Sequence, residues 1–269
     1  MEKHFKYSSK RQLWRLLISD YDKIIIESRD VSSKEVFFDC YDLNSTKTVF
    51  KNFQLEEKYW LGIESVYKDI IYFHRFPKPD MPQHKEIIAV DINSQNNLWN
   101  NSTLTFHFVA EDIVYAYTQG FEDRDYFALN YLSGEIIENI GPDYERINSL
   151  RSELDKSEKW SSYYYPEKLS PNSDSEIHGM IESKTHKYQI AGDIETIDFQ
   201  NRFLFSFNYL VKENVYSNVF FALDKVSGKE LLKIELNENV SSLFNDSFFI
   251  YKDFLFLLKE KSGLIIYKI

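Results

Sequence analysis

Short apolar runs recur along this chain, each led in by a polar pair. They are YDKIII from Tyr21, YKDIIYF from Tyr67, AEDIVYAY from Ala110, QNRFLFSF from Gln200 and FNDSFFIY from Phe244. Ahead of them lie further candidate strands: LWRLLI, KYWLGIESV, TLTFHFV, DIETIDF and NVSSLF. Apolar runs of this length, bounded by polar turn residues, predict β-strands.

A second pattern follows each run. YDLNSTKTVF, VDINSQNNLW, LNYLSGEIIE, LDKVSGKELL and LKEKSGLIIY all have an apolar approach, a polar turn and an apolar exit. Ser45, Ser94, Ser133, Ser227 and Ser262 hold the same place in them. Asp42, Asp91, Asn130 and Asp224 stand three residues earlier, with Lys259 in the fifth case; Gly134, Gly228 and Gly263 follow the serine in three. An Asx side chain can accept from a backbone N–H further along, and glycine supplies positive φ. The recurrence therefore predicts hairpins, and it makes Ser133 and Ser227 turn residues rather than nucleophiles.

Together these features give units of strand, turn, strand, hairpin, strand near residues 13–55, 56–102, 103–141, 194–236 and 237–269. Four-stranded units with a period of about 40 residues are the signature of propeller blades. The expected fold is an all-β, small, irregular β-propeller, a single domain over 1–269, with five four-stranded blades or six. Each blade is expected to be built from contiguous chain. Residues 142–193 break the pattern. Ile147, Leu150 and Leu154 are spaced for one amphipathic helix, and a tyrosine-, proline- and serine-rich loop follows. This insert either conceals a degraded sixth blade or is a helical excursion.

Composition agrees with strands: aromatics make up 17%, while Gly and Pro number only 8 and 6. The net charge of -10 disfavours a polyanion partner. The basic N-terminal set Lys3, Lys6, Lys10, Arg11 and Arg15 reads as a solvated surface, and no nucleic-acid partner is expected. Cys40 is the single cysteine and sits in the apolar run VFFDCYDL, so a buried, inert thiol is expected. The N-terminus lacks the apolar stretch of an export signal, and no run is long enough to span a bilayer. The expected compartment is the cytoplasm, without membrane attachment.

The hairpins AVDINSQNNLW, FALNYLSGEII and FALDKVSGKELL resemble the blades of quinoprotein-type β-propellers, which carry Ala-Leu-Asp-x-x-Thr-Gly followed by Trp. The whole layout also resembles an uncharacterised bacterial propeller-like family of about this length. LWRLL at 13–17, IESRD at 26–30 and HRFPKPDMPQHKEIIAVD at 74–91 carry that likeness. It implies architecture and no activity. Quinoprotein dehydrogenases are exported and commonly hold their cofactor against a vicinal disulfide beside calcium. One cysteine and no export signal set this chain apart, and no cofactor is expected.

The most unusual stretch is YFHRFPKPDMPQHKE, where Pro77, Pro79 and Pro82 stiffen a long connection. His74 and His84 flank it. With Asp80 or Glu86 they would form an N/O metal set. The spacing fits no known ligand motif, so a rigid surface loop with one imidazole bonded to backbone is expected, and no metal. Glu27 and Arg29 share a strand face. Glu27, Arg29, Glu64, His74 and Arg75, with Trp60 and His84, are the candidate ligand-binding residues of a polar pocket; ordinary salt bridges are the plain alternative. His107 and the tryptophans Trp14, Trp60 and Trp99 read as structural. No Walker loop, Rossmann fingerprint, HExxH or CxxC is present.

The expected function is a non-catalytic binding or scaffold protein that docks a protein partner. The alternatives are a small-molecule or sugar binder at the polar pocket, and a hydrolase-like enzyme with Glu27, Glu64 and His74 as acid–base groups.

Overall fold

The structure is a computed structural model and describes residues 1–77, 83–121, 123–156, 161–170 and 175–269. The described residues form five antiparallel sheets, an all-β arrangement of the propeller class. The chain divides into two compact units, Lys10–Ser157 and Met1–Ser9 with Glu158–Ile269. The first strand, β1 (Glu2–Ser8), lies in the latter.

The unit Lys10–Ser157 holds three sheets in which strands adjacent in sequence pair. The first is β2 (Gln12–Ile18), β3 (Lys23–Asp30), β4 (Glu35–Asp42) and β5 (Thr48–Phe53). The second is β6 (Leu61–Tyr67), β7 (Ile70–Arg75), β8 (Lys85–Asp91) and β9 (Asn97–Asn101). The third is β10 (Thr105–Ala110), β11 (Ile113–Gln119), β12 (Arg124–Asn130) and β13 (Ile136–Gly141).

Alternation along a strand decides what each face buries. On β7, Ile71 and Phe73 pack with Ile25, Val36 and Phe38 of the first sheet. The intervening Ile70 and Tyr72 pack with Phe106, Val114 and Leu129 of the third. The middle sheet is thus apolar on both faces, each large side chain contributing roughly 1.5–3 kcal/mol. The expected helix is α1 (Tyr144–Asp155), capped by Asp143, whose side chain accepts from the Arg146 backbone N–H at 3.0 Å. It buries Ile147 against Phe108, Tyr115 and Tyr126.

In the other unit, β14 (Tyr163–Tyr164) and β15 (Glu167–Lys168) are two-residue strands, followed by α2 (Ser175–Thr185). One sheet runs β15, β16 (Ile190–Phe199), β17 (Arg202–Lys212), β18 (Val215–Asp224), β19 (Glu230–Val240). The last sheet contains β20 (Phe248–Tyr251), β21 (Phe254–Lys259) and β22 (Gly263–Lys268), with β14 beside β20 and β1 beside β22. Ile177, Met180 and Ile181 of α2 cover Phe203, Phe205 and Phe207. The insert was expected to hold one helix and a loop, so α2 is a correction. Its apolar residues do fall at i, i+3 and i+4, the spacing that seats a helix on a sheet. Among the described residues the insert adds these helices and short strands rather than a sixth four-stranded sheet.

Four of the five expected hairpins are equivalent. Ser45, Ser94 and Ser227 each donate both backbone N–H and hydroxyl to the preceding Asp, at 2.6–2.8 Å. Ser133 donates its N–H to Asn130 at 3.1 Å. The next residue is left-handed every time, with φ of 59° at Thr46, 61° at Gln95, 70° at Gly134 and 63° at Gly228. Gly134 also lies beneath Trp99, where a Cβ would meet the indole at 2.5 Å.

Ser262 is different, and this corrects both the 237–269 unit and the contiguous-blade expectation. Its turn joins β21 to β22, and the left-handed residues are Glu260 and Lys261 ahead of it. A backbone bond repeated through the chain fixes the true register. Leu43, Ile92, Tyr131, Lys225 and Ile269 donate to the carbonyls of Asp22, Asp69, Asp112, Asn201 and Asp253, at 2.8–3.2 Å. Asp253 therefore stands where Asp69 does, and β20, β21 and β22 are the first three strands of their sheet. The fourth place belongs to β1, paired with β22 from Glu2↔Lys268 to Ser8↔Gly263. No helix among the described residues is long and apolar enough to cross a membrane.

Candidate functional site

Among the described residues β6 is an edge strand, paired only with β7, so its other side must find partners for its backbone groups. Side chains of the first sheet provide them. Glu27 Oε2 accepts from the Ile63 N–H at 3.2 Å, and Arg29 Nη2 donates to the Leu61 carbonyl at 2.7 Å. Arg15 Nη1 donates to the Ile63 carbonyl. Glu27 and Arg29, two apart on β3, pair through Glu27 Oε1 at 2.9 and 2.7 Å. Glu27 is fully buried, a state a carboxylate tolerates only when paired and hydrogen-bonded. Both its oxygens are committed.

The pairing of β6 with β7 skips one residue: Ile63 faces Phe73 and Ser65 faces Tyr72. Glu64 is the extra residue of a β-bulge, a feature that re-aims a side chain. The same skip falls at Trp14 in β2 and at His107 in β10. The bulge brings Glu64 Oε1 to His84 Nδ1 at 2.6 Å and to His74 Nδ1 at 3.1 Å. The two imidazoles stack, centroids 3.6 Å apart and planes within 5°. Phe76 stands edge-on to both, at 4.8 and 5.4 Å. Opposite His74, a Cβ on Gly62 would lie 3.2 Å from its Nε2 and 3.4 Å from Arg29 Nη2. Glycine thus lets ring and guanidinium close on the strand.

Burial opposes the Glu64 carboxylate, but the two imidazoles facing it outweigh burial and hold its pKa down to about 2. Burial dominates at His74 and lowers its pKa despite Glu64, keeping the ring neutral near pH 7. His74 is 1% exposed; its Nδ1 faces Glu64 Oε1 at 3.1 Å, and its Nε2 makes no hydrogen bond.

The expected site residues thus fall into separate groups. Glu27 and Arg29 dock the first sheet on β6. Glu64, His74 and His84 form the cluster. Arg75 lies 3.4 Å from Glu86, Nε to Oε2, which takes Glu86 out of the expected metal set. Asp80, Pro79 and Pro82 lie outside the described residues. Trp60 is half-buried and edge-on to Tyr59 at 4.9 Å, and its carbonyl accepts from the Phe76 N–H at 2.9 Å.

Two expectations need correction. Neither imidazole is bonded to backbone; His84 meets Glu64 instead. Trp14 is not core: it is 56% exposed, with the Arg29 guanidinium 5.0 Å above its ring. Trp99 is buried, and Cys40 is a buried free thiol whose pKa burial pushes up to about 12. The sequence reading missed the bulge, which regular alternation hides. It also missed a cleft of about 490 Å³ in the other unit, lined by Tyr163, Tyr164, Tyr165, Lys168 and Phe203. The tyrosine run was its only signal.

Residues 18–99 match DUF4905, a domain of unknown function. The DUF4905 match contains Glu27, Arg29, Trp60, Glu64, His74, Arg75 and His84. No curated protein matches the chain. Among solved structures, a member of the DUF4221 family from Bacteroides vulgatus aligns with 98% of this chain and 96% of its own, at 7% identity and a TM-score of 0.35. The β-propeller domain of the trilobed protease from Pyrococcus furiosus aligns with 97% of this chain and 69% of its own, at 9% identity and a TM-score of 0.32. An acylaminoacyl peptidase from Pyrococcus horikoshii aligns with 97% of this chain and 39% of its own, at 10% identity and a TM-score of 0.31.

Proposed function

We propose that this chain is a non-catalytic binding protein whose ligand site is the Glu64–His74–His84 cluster. One observation supports this above the rest: the His74 ring is buried with its Nε2 lacking a hydrogen bond. Leaving a buried polar group unsatisfied costs about 1–3 kcal/mol. Such a group earns explanation as a contact for something that binds. The hydrolase alternative loses an acid–base group, because Glu27 is committed to Arg29 and Ile63. A cytoplasmic location is part of the proposal, in keeping with a single free, buried cysteine. Nucleic acid and membrane are not part of it.

A thermal-shift panel of sugars, nucleotides and small carboxylates, run with chelator and again with added Zn²⁺, tests the proposal. A ligand at 100 times its Kd stabilises by about 2.7 kcal/mol. The expected result is a raised Tm for at least one class, abolished in His84→Ala. Silence under both conditions, or a shift that survives His84→Ala and Glu64→Gln, overturns it.

The scaffold reading has one observation of its own. Ile136 and Ile137, on the edge strand β13, are 55% and 59% exposed. An apolar edge invites strand addition by a partner.

A further inference from the structure

The cluster's donor atoms narrow the class of ligand, an inference that rests on the site proposed above. We propose that Glu64, His74 and His84 hold a divalent transition-metal ion, with Zn²⁺ as the fitting probe. Each residue offers one ligand atom, and these atoms lie within 4.8 Å of one another. Bonds of roughly 2.0–2.2 Å at tetrahedral angles set two ligands of one ion about 3.4 Å apart, so the Glu64 oxygen, now 2.6 and 3.1 Å from the two Nδ1 atoms, needs to draw back only slightly. Two imidazoles and one carboxylate suit zinc, copper, iron or nickel; magnesium and calcium prefer all-oxygen sites.

The ring geometry shows what loading requires. Imidazole lone pairs lie in the ring plane, and the rings of His74 and His84 are parallel at 3.6 Å. One ion cannot lie in both planes, so one ring must turn. His74 is fixed in β7 with its side chain 2% exposed, whereas the His84 side chain is 33% exposed and stands just before β8. The Thr105 hydroxyl holds the His84 carbonyl at 3.3 Å, so loading turns the imidazole about its side-chain bonds and exchanges its 2.6 Å contact with Glu64. Opening the stack also gives one His74 ring nitrogen an acceptor for its lone pair. Three protein ligands would leave a position open for a small anionic or neutral ligand, as exchangeable zinc sites do.

The test uses the full chain, stripped with chelator and freed of any tag, titrated with Zn²⁺ by calorimetry and with Co²⁺ by visible absorption. The expected result is one Zn²⁺ per chain, a higher Tm, and visible Co²⁺ d–d bands. Affinity should drop at least tenfold in both His84→Ala and Glu64→Gln, with circular dichroism unchanged. His186→Ala, at an exposed histidine of the other unit, should bind as the native chain does. Absence of saturable Zn²⁺ binding, or binding that ignores His84→Ala and Glu64→Gln, overturns the inference. An organic ligand that binds at the cluster in chelator overturns the metal assignment while leaving the binding site standing.

Discussion

The carboxylate of Glu27, on β3, accepts the backbone N–H of Ile63, on β6, at 3.2 Å. A side chain buried in one sheet thus supplies the hydrogen bond that another strand would have given. Glu27→Ala removes that acceptor and leaves Arg29, with a side chain only 12% exposed, without its counter-charge. Breaking a buried pair in this way costs about 3–5 kcal/mol. Urea unfolding should show that loss, and a smaller one for Glu27→Gln, whose amide oxygen still accepts from Ile63. Equal stability in all three proteins would refute the docking role.

The four equivalent hairpins and the divergent fifth differ in what their serines do. Asp42→Ala, Asp91→Ala and Asp224→Ala each remove an acceptor for two hydrogen bonds and should lower the unfolding midpoint. Ser262→Ala should stay within about 0.5 kcal/mol of native. A comparable loss at Ser262 would restore it to the repeat.

Because β1 fills the last sheet, deleting Met1–Ser9 strips β22 of one of its two partners and leaves β21 as the other. The expected outcome is a lower Tm and concentration-dependent association through the bare edge, seen by size exclusion. A synthetic peptide of residues 1–9 should reverse both. A deletion variant that melts like the native chain would contradict the strand assignment.

His107 sits at the bulge of β10 among Phe108, Tyr117 and Tyr126. Burial, with Arg151 and Arg124 nearby, lowers its pKa from 6.5 to about 4. The unfolded chain therefore takes up this proton first. The contribution is complete above about pH 6.5 and is lost as pH falls toward 4. An NMR titration of the His107 ring should give a midpoint near 4, and His107→Phe should flatten the stability profile over that interval. A midpoint near 6.5 would show an unperturbed, solvated ring.

Much of the architecture was legible because turn chemistry is local. Asp or Asn three residues ahead of Ser announces each true hairpin without reference to the rest of the chain. The last sheet was misread because Asn245 and Asp246 imitate the polar pair that leads into a second strand. The genuine pair is Lys252 and Asp253, in a Tyr-Lys-Asp run that repeats Tyr67, Lys68 and Asp69. β1 escaped notice because its partner β22 lies at the far end of the sequence, and no local pattern reports such a pairing. The site was half legible. His74, His84 and Glu64 stood out as residues, but they were pooled with Glu27, Arg29, Trp60 and Arg75 in one pocket. A one-residue bulge, which has no sequence signature of its own, turns Glu64 toward the histidines.

A partly buried polar cluster kept for a ligand works against the stability of the protein that carries it. Replacing such a cluster with apolar residues of similar volume is often neutral or stabilising, by about 1–4 kcal/mol. The direct measurement is the urea unfolding midpoint of the triple variant Glu64→Leu, His74→Leu, His84→Leu beside the native chain. A midpoint equal to or above native is the predicted result. A drop equivalent to about 3 kcal/mol or more would mean that these three side chains hold the sheet together, and would contradict a binding site there.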